Sequence, residues 1–78
     1  MILKLEREGS SIVTYVNLNN IYNIIENNGV FEFKQGASTI ASFSVANTTI
    51  SYSNGNEIVT LPKDINIISN FILNAYAG

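Results

Sequence analysis

The sequence predicts a small, mainly β domain that ends in an α-helix. Short runs of alternating apolar and polar residues follow one another up to Leu61, separated by tight-turn residues. Two Asn-Gly dipeptides, Asn28-Gly29 and Asn54-Gly55, stand between such runs, and this dipeptide is the strongest short-range hairpin signal. After Leu61 the apolar spacing becomes helical. We therefore expect a strongly bent antiparallel barrel or rolled sheet with a C-terminal α-helix.

The first two strands are predicted from different patterns. Residues 1–8 alternate apolar and charged side chains, which indicates a half-buried strand near an edge of the sheet. Residues 12–17 are rich in β-branched and aromatic side chains and carry apolar groups on both faces. That composition favours a more central strand.

Residues 18–28 are ambiguous. Their apolar residues have helical spacing, but five of the eleven residues are asparagine, which is unfavourable inside a helix. The turn signal at Asn28-Gly29 instead favours a strand over residues 21–27 that pairs with residues 30–34, with Ile24 opposite Phe33. A helix over residues 18–28 is the alternative, and a short helical turn at 18–22 is compatible with the strand.

The alternation of apolar and polar residues predicts the register of the hairpin over residues 48–61. With Asn54-Gly55 as a two-residue type I′ turn, Ser53 lies opposite Asn56. One face then carries four apolar side chains: Ile50, Tyr52, Val59 and Leu61. A slip of one residue would split this set between the two faces. Ser51 is expected on the outward face, where Ile58 is the apolar exception.

The C-terminal helix is predicted from Asp64 or Pro62 as a start signal and from a stripe of helically spaced apolar residues. The stripe comprises Ile65, Ile68, Phe71, Ile72, Ala75 and Tyr76. Ile67 and Leu73 flank the opposite, asparagine-rich stripe. The apolar arc is therefore wider than one packing face needs, and we expect part of it to contact a second subunit.

Length and composition also favour self-association. The 78 residues are one domain, 1–78, which buries about 60% of its unfolded surface. No cysteine is available to stabilise it, and only 13% of residues are charged against 46% hydrophobic. That charge content is about half the usual value. We therefore expect a homo-oligomer.

Residue types exclude most catalytic chemistry. Without His or Cys there is no imidazole base, no Ser-His-Asp or Cys-His arrangement and no imidazole or thiolate metal site. The five glutamates lie at strand or turn positions that should face solvent. We expect no enzyme activity and no cofactor.

The N-terminus lacks a signal-peptide pattern, and the apolar C-terminal segment is too short to span a bilayer, so we expect a cytoplasmic protein without membrane contact.

The charge of the chain limits nucleic-acid binding. The net charge is −2, and the only basic side chains are Lys4, Arg7, Lys34 and Lys63. A duplex binder uses about 6–10 phosphate contacts, so a monomeric binder is excluded, whereas a ring of copies could focus charge on a pore. The phenylalanines should be core residues. Tyr15 and Tyr22 should end near water or an interface.

Two short motifs resemble the Sm/LSm family of RNA-binding ring proteins. Gly55 to Val59 is similar to the second motif of that family, and Val16-Asn17-Leu18 is similar to the end of the first. The resemblance implies a five-stranded barrel, strand-edge assembly into rings and single-stranded RNA binding. Asn17 would correspond to the base-contacting residue, and Asn54 and Gly55 would line the same pocket.

The chain departs from the Sm/LSm pattern at three points. Asn54 replaces the motif arginine, Val13 replaces the motif aspartate, and the clear helix follows the sheet instead of preceding it. A second resemblance is to small flagellar-operon and phage accessory proteins with a strand-rich body and a C-terminal helix. It implies the alternative function: a non-catalytic structural or protein-interaction subunit without nucleic-acid binding.

Overall fold

The computed structural model describes residues 1–77 as seven strands, two 3₁₀ turns and one helix. The 3₁₀ turns are Leu18–Asn20 and Val45–Asn47. The other elements are β1 (Ile2–Arg7), β2 (Val13–Asn17), β3 (Asn23–Asn27), β4 (Val30–Gln35), β5 (Ser38–Ser44), β6 (Thr48–Asn54), β7 (Glu57–Thr60) and α1 (Ile65–Ala77). The predicted mainly β fold with a C-terminal helix is confirmed.

The strands of residues 1–77 form two antiparallel sheets, and no closed barrel. Sheet A has the strand order β2-β1-β6-β7, and sheet B has the order β3-β4-β5. The successive short strands expected up to Leu61 are present, but they form a continuous meander only from β3 to β5. At Val45–Asn47 the 3₁₀ turn redirects the chain, so β6 pairs with β1 instead of β5.

The predicted positions of the first two strands are reversed. β1 lies between β2 and β6, and β2 is the edge strand. β1 can be central because Leu3 and Leu5 face the core, while Lys4 and Glu6 lie on the outer face of sheet A, where Lys4 Nζ is 3.7 Å from a Glu6 carboxylate oxygen. The apolar residues on the outer face of β2, Val13 and Tyr15, remain exposed instead of buried.

The ambiguous segment contains both predicted structures in sequence. A 3₁₀ turn at Leu18–Asn20 precedes β3. Ile24 pairs with Phe33, as predicted. Asn28 and Gly29 both have positive φ, 52° and 81°, which a type I′ turn requires.

The predicted register of the β6–β7 hairpin is wrong by two residues. Asn54 pairs with Glu57, so the loop residues are Gly55 and Asn56, and Ser53 lies opposite Ile58 instead of Asn56. Within residues 1–77 only Gly55 of this loop has positive φ, 65°. This geometry fits a type II′ turn, which takes Gly at its first central position.

A shift of two residues keeps every side chain on its predicted face. Ile50 is buried, and Tyr52, Val59 and Leu61 are half-buried on the same side. Ser51 was expected to face outward into solvent but is buried. It lies on an inner strand of sheet A, where it pairs with Lys4 on one side and Thr60 on the other.

Both sheets and the helix contribute to one hydrophobic core. Its buried members are Leu3, Leu5, Val16, Leu18, Ile21, Phe31, Phe33, Phe43, Val45, Ile50, Ile68 and Ile72. Three of the four phenylalanines are buried, as expected, and Phe71 is half-buried with its ring stacked on Tyr52 at 4.8 Å. The helix therefore packs through the predicted apolar stripe.

We expect the Asp64→Ala substitution to lower the free energy of unfolding by about 1 kcal/mol. Asp64 Oδ1 accepts hydrogen bonds from the backbone N–H groups of Asn66 (2.9 Å) and Ile67 (3.1 Å), which begin α1. Urea denaturation would measure the loss. Asp64→Asn is the matched control, because an asparagine oxygen also caps; an equal loss in both variants would contradict a capping role.

Candidate functional site

The predicted RNA-contacting residues lie at one end of sheet A. Asn17 ends β2 and pairs with Ile2 of β1. Asn54 ends β6, and Gly55 follows it in the turn to β7. β1 lies between them, so the two asparagines are separated by about two strand spacings, roughly 10 Å.

The side chains of Asn17 and Asn54 leave sheet A on opposite faces. Asn17 pairs with Ile2 on the outer face, whereas Asn54 has the parity of the buried Ile50 on the core side. Asn17 Oδ1 also accepts a hydrogen bond from the N–H of Asn19 (3.0 Å), which begins the 3₁₀ turn. The sheet does not bring the two asparagine side chains into one pocket.

The outer face of sheet A carries an exposed groove that we call the Tyr15 surface. Its side chains come from all four strands: Ile2 and Lys4, Tyr15, Ser51, and Ile58. The groove has a volume of about 580 Å³. Tyr15, Ile58 and Ile2 are 65%, 68% and 54% exposed, around the buried Ser51. The surface is therefore apolar at its walls and polar at its floor.

The Tyr15 surface carries one cation that is partly neutralised. Lys4 is its only charged residue, and Glu6, the next outward residue on β1, forms the ion pair with it. The glutamates are exposed or half-exposed, as expected: Glu6, Glu8, Glu26, Glu32 and Glu57. No group of three or more metal-ligating side chains occurs within residues 1–77. Apolar contact, aromatic stacking and hydrogen bonding are the interactions this surface offers.

A second apolar groove lies between α1 and β3. It has a volume of about 300 Å³ and is lined mainly by Ile24, Phe31, Ile72, Leu73 and Tyr76. Leu73 is 63% exposed, which agrees with the expectation that the apolar arc of the helix exceeds its packing face. The contact with a second subunit remains a prediction.

Sequence reasoning missed two members of the Tyr15 surface. Ile58 was recognisable, because it interrupts the polar face of the hairpin. Ile2 belongs to the outward parity of β1 and was not singled out. Their proximity depends on the pairing of β1 with β6, which joins residues 41 to 49 positions apart and has no local signal.

No helix among the described residues is long and apolar enough to cross a membrane. Comparison with known proteins gives no family for this chain: no protein-family model, no curated protein and no solved structure matches it.

Proposed function

We propose that this chain is a non-catalytic interaction subunit that pairs with a second copy of itself through the free edge of β2. The observation that carries the proposal is the chemistry of that edge. β2 is a five-residue edge strand without a charged residue or a proline, and its register with β1 is regular. Exposed, regular and uncharged edges readily pair with another strand, and proteins usually block them.

The other three edges each carry a blocking feature. β7 is only four residues long and begins with Glu57. On β5, Ala41 pairs with Phe33 and Thr39 with Lys34, so Ile40 forms a bulge. β3 contains Glu26. Short strands, bulges and charges all discourage edge pairing, which leaves β2 as the most receptive edge.

The hydrogen bonds between β2 and β1 show which backbone groups of β2 point away from sheet A. The N–H of Leu18 donates to the carbonyl of Met1 (2.9 Å), so Val16 and Thr14, which have the same parity, also point at β1. The N–H and C=O groups of Val13, Tyr15 and Asn17 therefore point away from sheet A. They form an unused ladder for another strand.

A second copy of β2 fits this ladder. In an antiparallel pair centred on Tyr15, each Tyr15 bonds its counterpart and Val13 bonds Asn17 of the other copy. No like charges meet, because the strand has none. Such two-fold pairing is the commonest symmetry of soluble oligomers. The low charge of the whole chain supports a protein partner over a polyanion.

Sedimentation velocity between about 1 and 100 μM would test this function, with a dimer as the expected species. Amide hydrogen exchange would locate the interface of that dimer. The amides of Val13, Tyr15 and Asn17 should be slow to exchange in concentrated samples and fast on dilution. A monomer across the whole range, or fast exchange of these amides in a dimer, would contradict pairing through β2.

The second candidate function is single-stranded RNA binding by an Sm-like oligomer, a ring in the form that the motif resemblance implies. The observation that favours it is Tyr15, an exposed aromatic ring on the same groove as Lys4. Exposed aromatic side chains beside a cation form stacking platforms for unpaired bases. Asn17, whose side chain leaves the same outer face, would contribute a polar contact, whereas the Asn54 side chain leaves the opposite face.

For this second function, Tyr15→Ala should weaken poly-U binding by about tenfold or more, because stacking contributes about 1–3 kcal/mol per base. Labelled poly-U and poly-A titrated at low salt would measure it. Tyr22→Ala is the matched control, since Tyr22 is 71% exposed and lies outside the Tyr15 surface. Absence of binding by the wild-type chain at tens of micromolar would exclude the RNA function.

A further inference from the structure

A third opening lies between the β1–β2 hairpin and the free side of β5. We call it the Arg7 cleft, and its volume is about 380 Å³. Its floor is formed by Leu5 and Phe43, both nearly buried. The remaining lining residues are Arg7, Ser10, Ile12, Thr14, Val30, Ser42, Ser44, Asn47 and Thr48. Polar side chains therefore surround an apolar floor.

Arg7 is the only charged residue that lines the cleft. Within residues 1–77, the ion pairs join Lys4 to Glu6 and Lys63 to Glu8, and neither involves Arg7. A guanidinium group presents a planar set of donors that matches a carboxylate or a phosphate. In a chain of net charge −2, this cleft combines an unpaired arginine with a lining free of carboxylates.

Three hydroxyl groups in the lining of the Arg7 cleft are available for hydrogen bonding. The side-chain hydrogen bonds of the described residues occupy Ser10, Asn47 and Thr48, and none involves the hydroxyls of Thr14, Ser42 or Ser44. Hydroxyl groups of a ligand could pair with them, because protein and ligand hydroxyls both donate and accept hydrogen bonds.

Backbone groups of β5 also offer hydrogen bonds to the Arg7 cleft. The N–H of Val45 donates to the carbonyl of Gly29 (2.9 Å), so Phe43 has the parity that points at β4. The backbone N–H and C=O groups of Ser42 and Ser44 therefore point to the free edge of sheet B, where the cleft lies.

We propose that the Arg7 cleft binds a small hydroxylated anion, a phosphate monoester or a carboxylate. Arg7 holds the anionic group, the β5 edge and the nearby hydroxyls bind the hydroxyl groups, and Leu5 with Phe43 contacts the carbon skeleton. Thr14 belongs to both β2 and the cleft, but the pairing proposed for β2 uses the backbone groups of Val13, Tyr15 and Asn17, none of which lines the cleft.

Nitrogen-15 NMR titration of the full chain tests the site, with ribose 5-phosphate and gluconate as the two anionic probes and ribose as the neutral one. Saturable shifts are expected for at least one anion at the amides of Arg7, Thr14, Ser42 and Ser44, and the anion that saturates identifies the preferred group. Equal shifts with ribose, or no saturation by either anion at tens of millimolar, would overturn the proposal.

Arg7→Gln should weaken anion binding by at least about tenfold, because it removes a charged hydrogen bond. Lys34→Gln is the matched control: it removes the same charge from β4, outside the cleft, and should change the affinity less than about twofold. Thr14→Val, which keeps the strand shape, should also weaken binding. If Arg7→Gln and Lys34→Gln weaken anion binding equally, the affinity depends only on net charge, and the proposed site is wrong.

Discussion

Replacing Phe33 with alanine is expected to lower the free energy of unfolding by about 3–5 kcal/mol. Phe33 is 0% exposed, and its ring centroid lies 5.8 Å from that of Phe43. It pairs with Ile24 on one side and Ala41 on the other, so neighbouring strands hold the walls of the cavity apart. A chain of this length has about 4–12 kcal/mol of stability, and this one substitution removes a large part of it.

Thermal denaturation at a fixed protein concentration would measure the effect of Phe33→Ala. The midpoint should fall by about 15–30 °C for a domain of this size. Tyr22→Ala is the control, because Tyr22 is also aromatic but is 71% exposed. It should change the free energy of unfolding by about 0.5 kcal/mol or less. If Phe33→Ala does not fold, Phe33→Leu keeps the test quantitative. A small effect in both Phe33 variants would contradict the central position of this ring.

The alternation of apolar and polar residues predicted correctly which side chains face the core. It was a poorer guide to which strands pair with each other. Leu3, Phe33 and Ile50 are buried as their alternation indicates, and α1 packs through its apolar stripe. A face depends only on residues two apart in the same strand. The β6–β7 hairpin shows the limit of this signal, because a register shift of two residues leaves the faces unchanged and is therefore invisible to parity.

Strand order could not be predicted because it depends on contacts between distant segments. The pairing of β1 with β6 joins Leu5 to Ile50, and no local turn specifies it. That pairing makes β1 an inner strand of sheet A and brings Ile58 of the β6–β7 hairpin to the same surface as Ile2 and Tyr15. The Arg7 cleft also arises where two separate sheets meet. The candidate surfaces are thus tertiary features, although Tyr15 was recognisable from its residue type.

Replacing Tyr15 with proline is expected to raise the dissociation constant of the proposed dimer by at least about hundredfold while leaving the monomer folded. The N–H of Tyr15 points away from β1, so its loss breaks no hydrogen bond within the chain. Edge strands tolerate proline when the missing N–H faces solvent. In the two-fold pair centred on this residue, both copies would lose the central hydrogen bond. Sedimentation velocity would measure the change.

Tyr15→Ala separates the role of the strand edge from that of the ring. It removes the aromatic side chain and keeps the N–H, so strand pairing should survive, whereas stacking of an RNA base should not. Val16→Pro completes the comparison, because its N–H has the parity that points at β1 and its loss should destabilise the monomer itself. If Tyr15→Ala dissociates the dimer as fully as Tyr15→Pro does, the ring and not the backbone ladder holds the two copies together, and the interface must lie on the Tyr15 surface instead of the β2 edge.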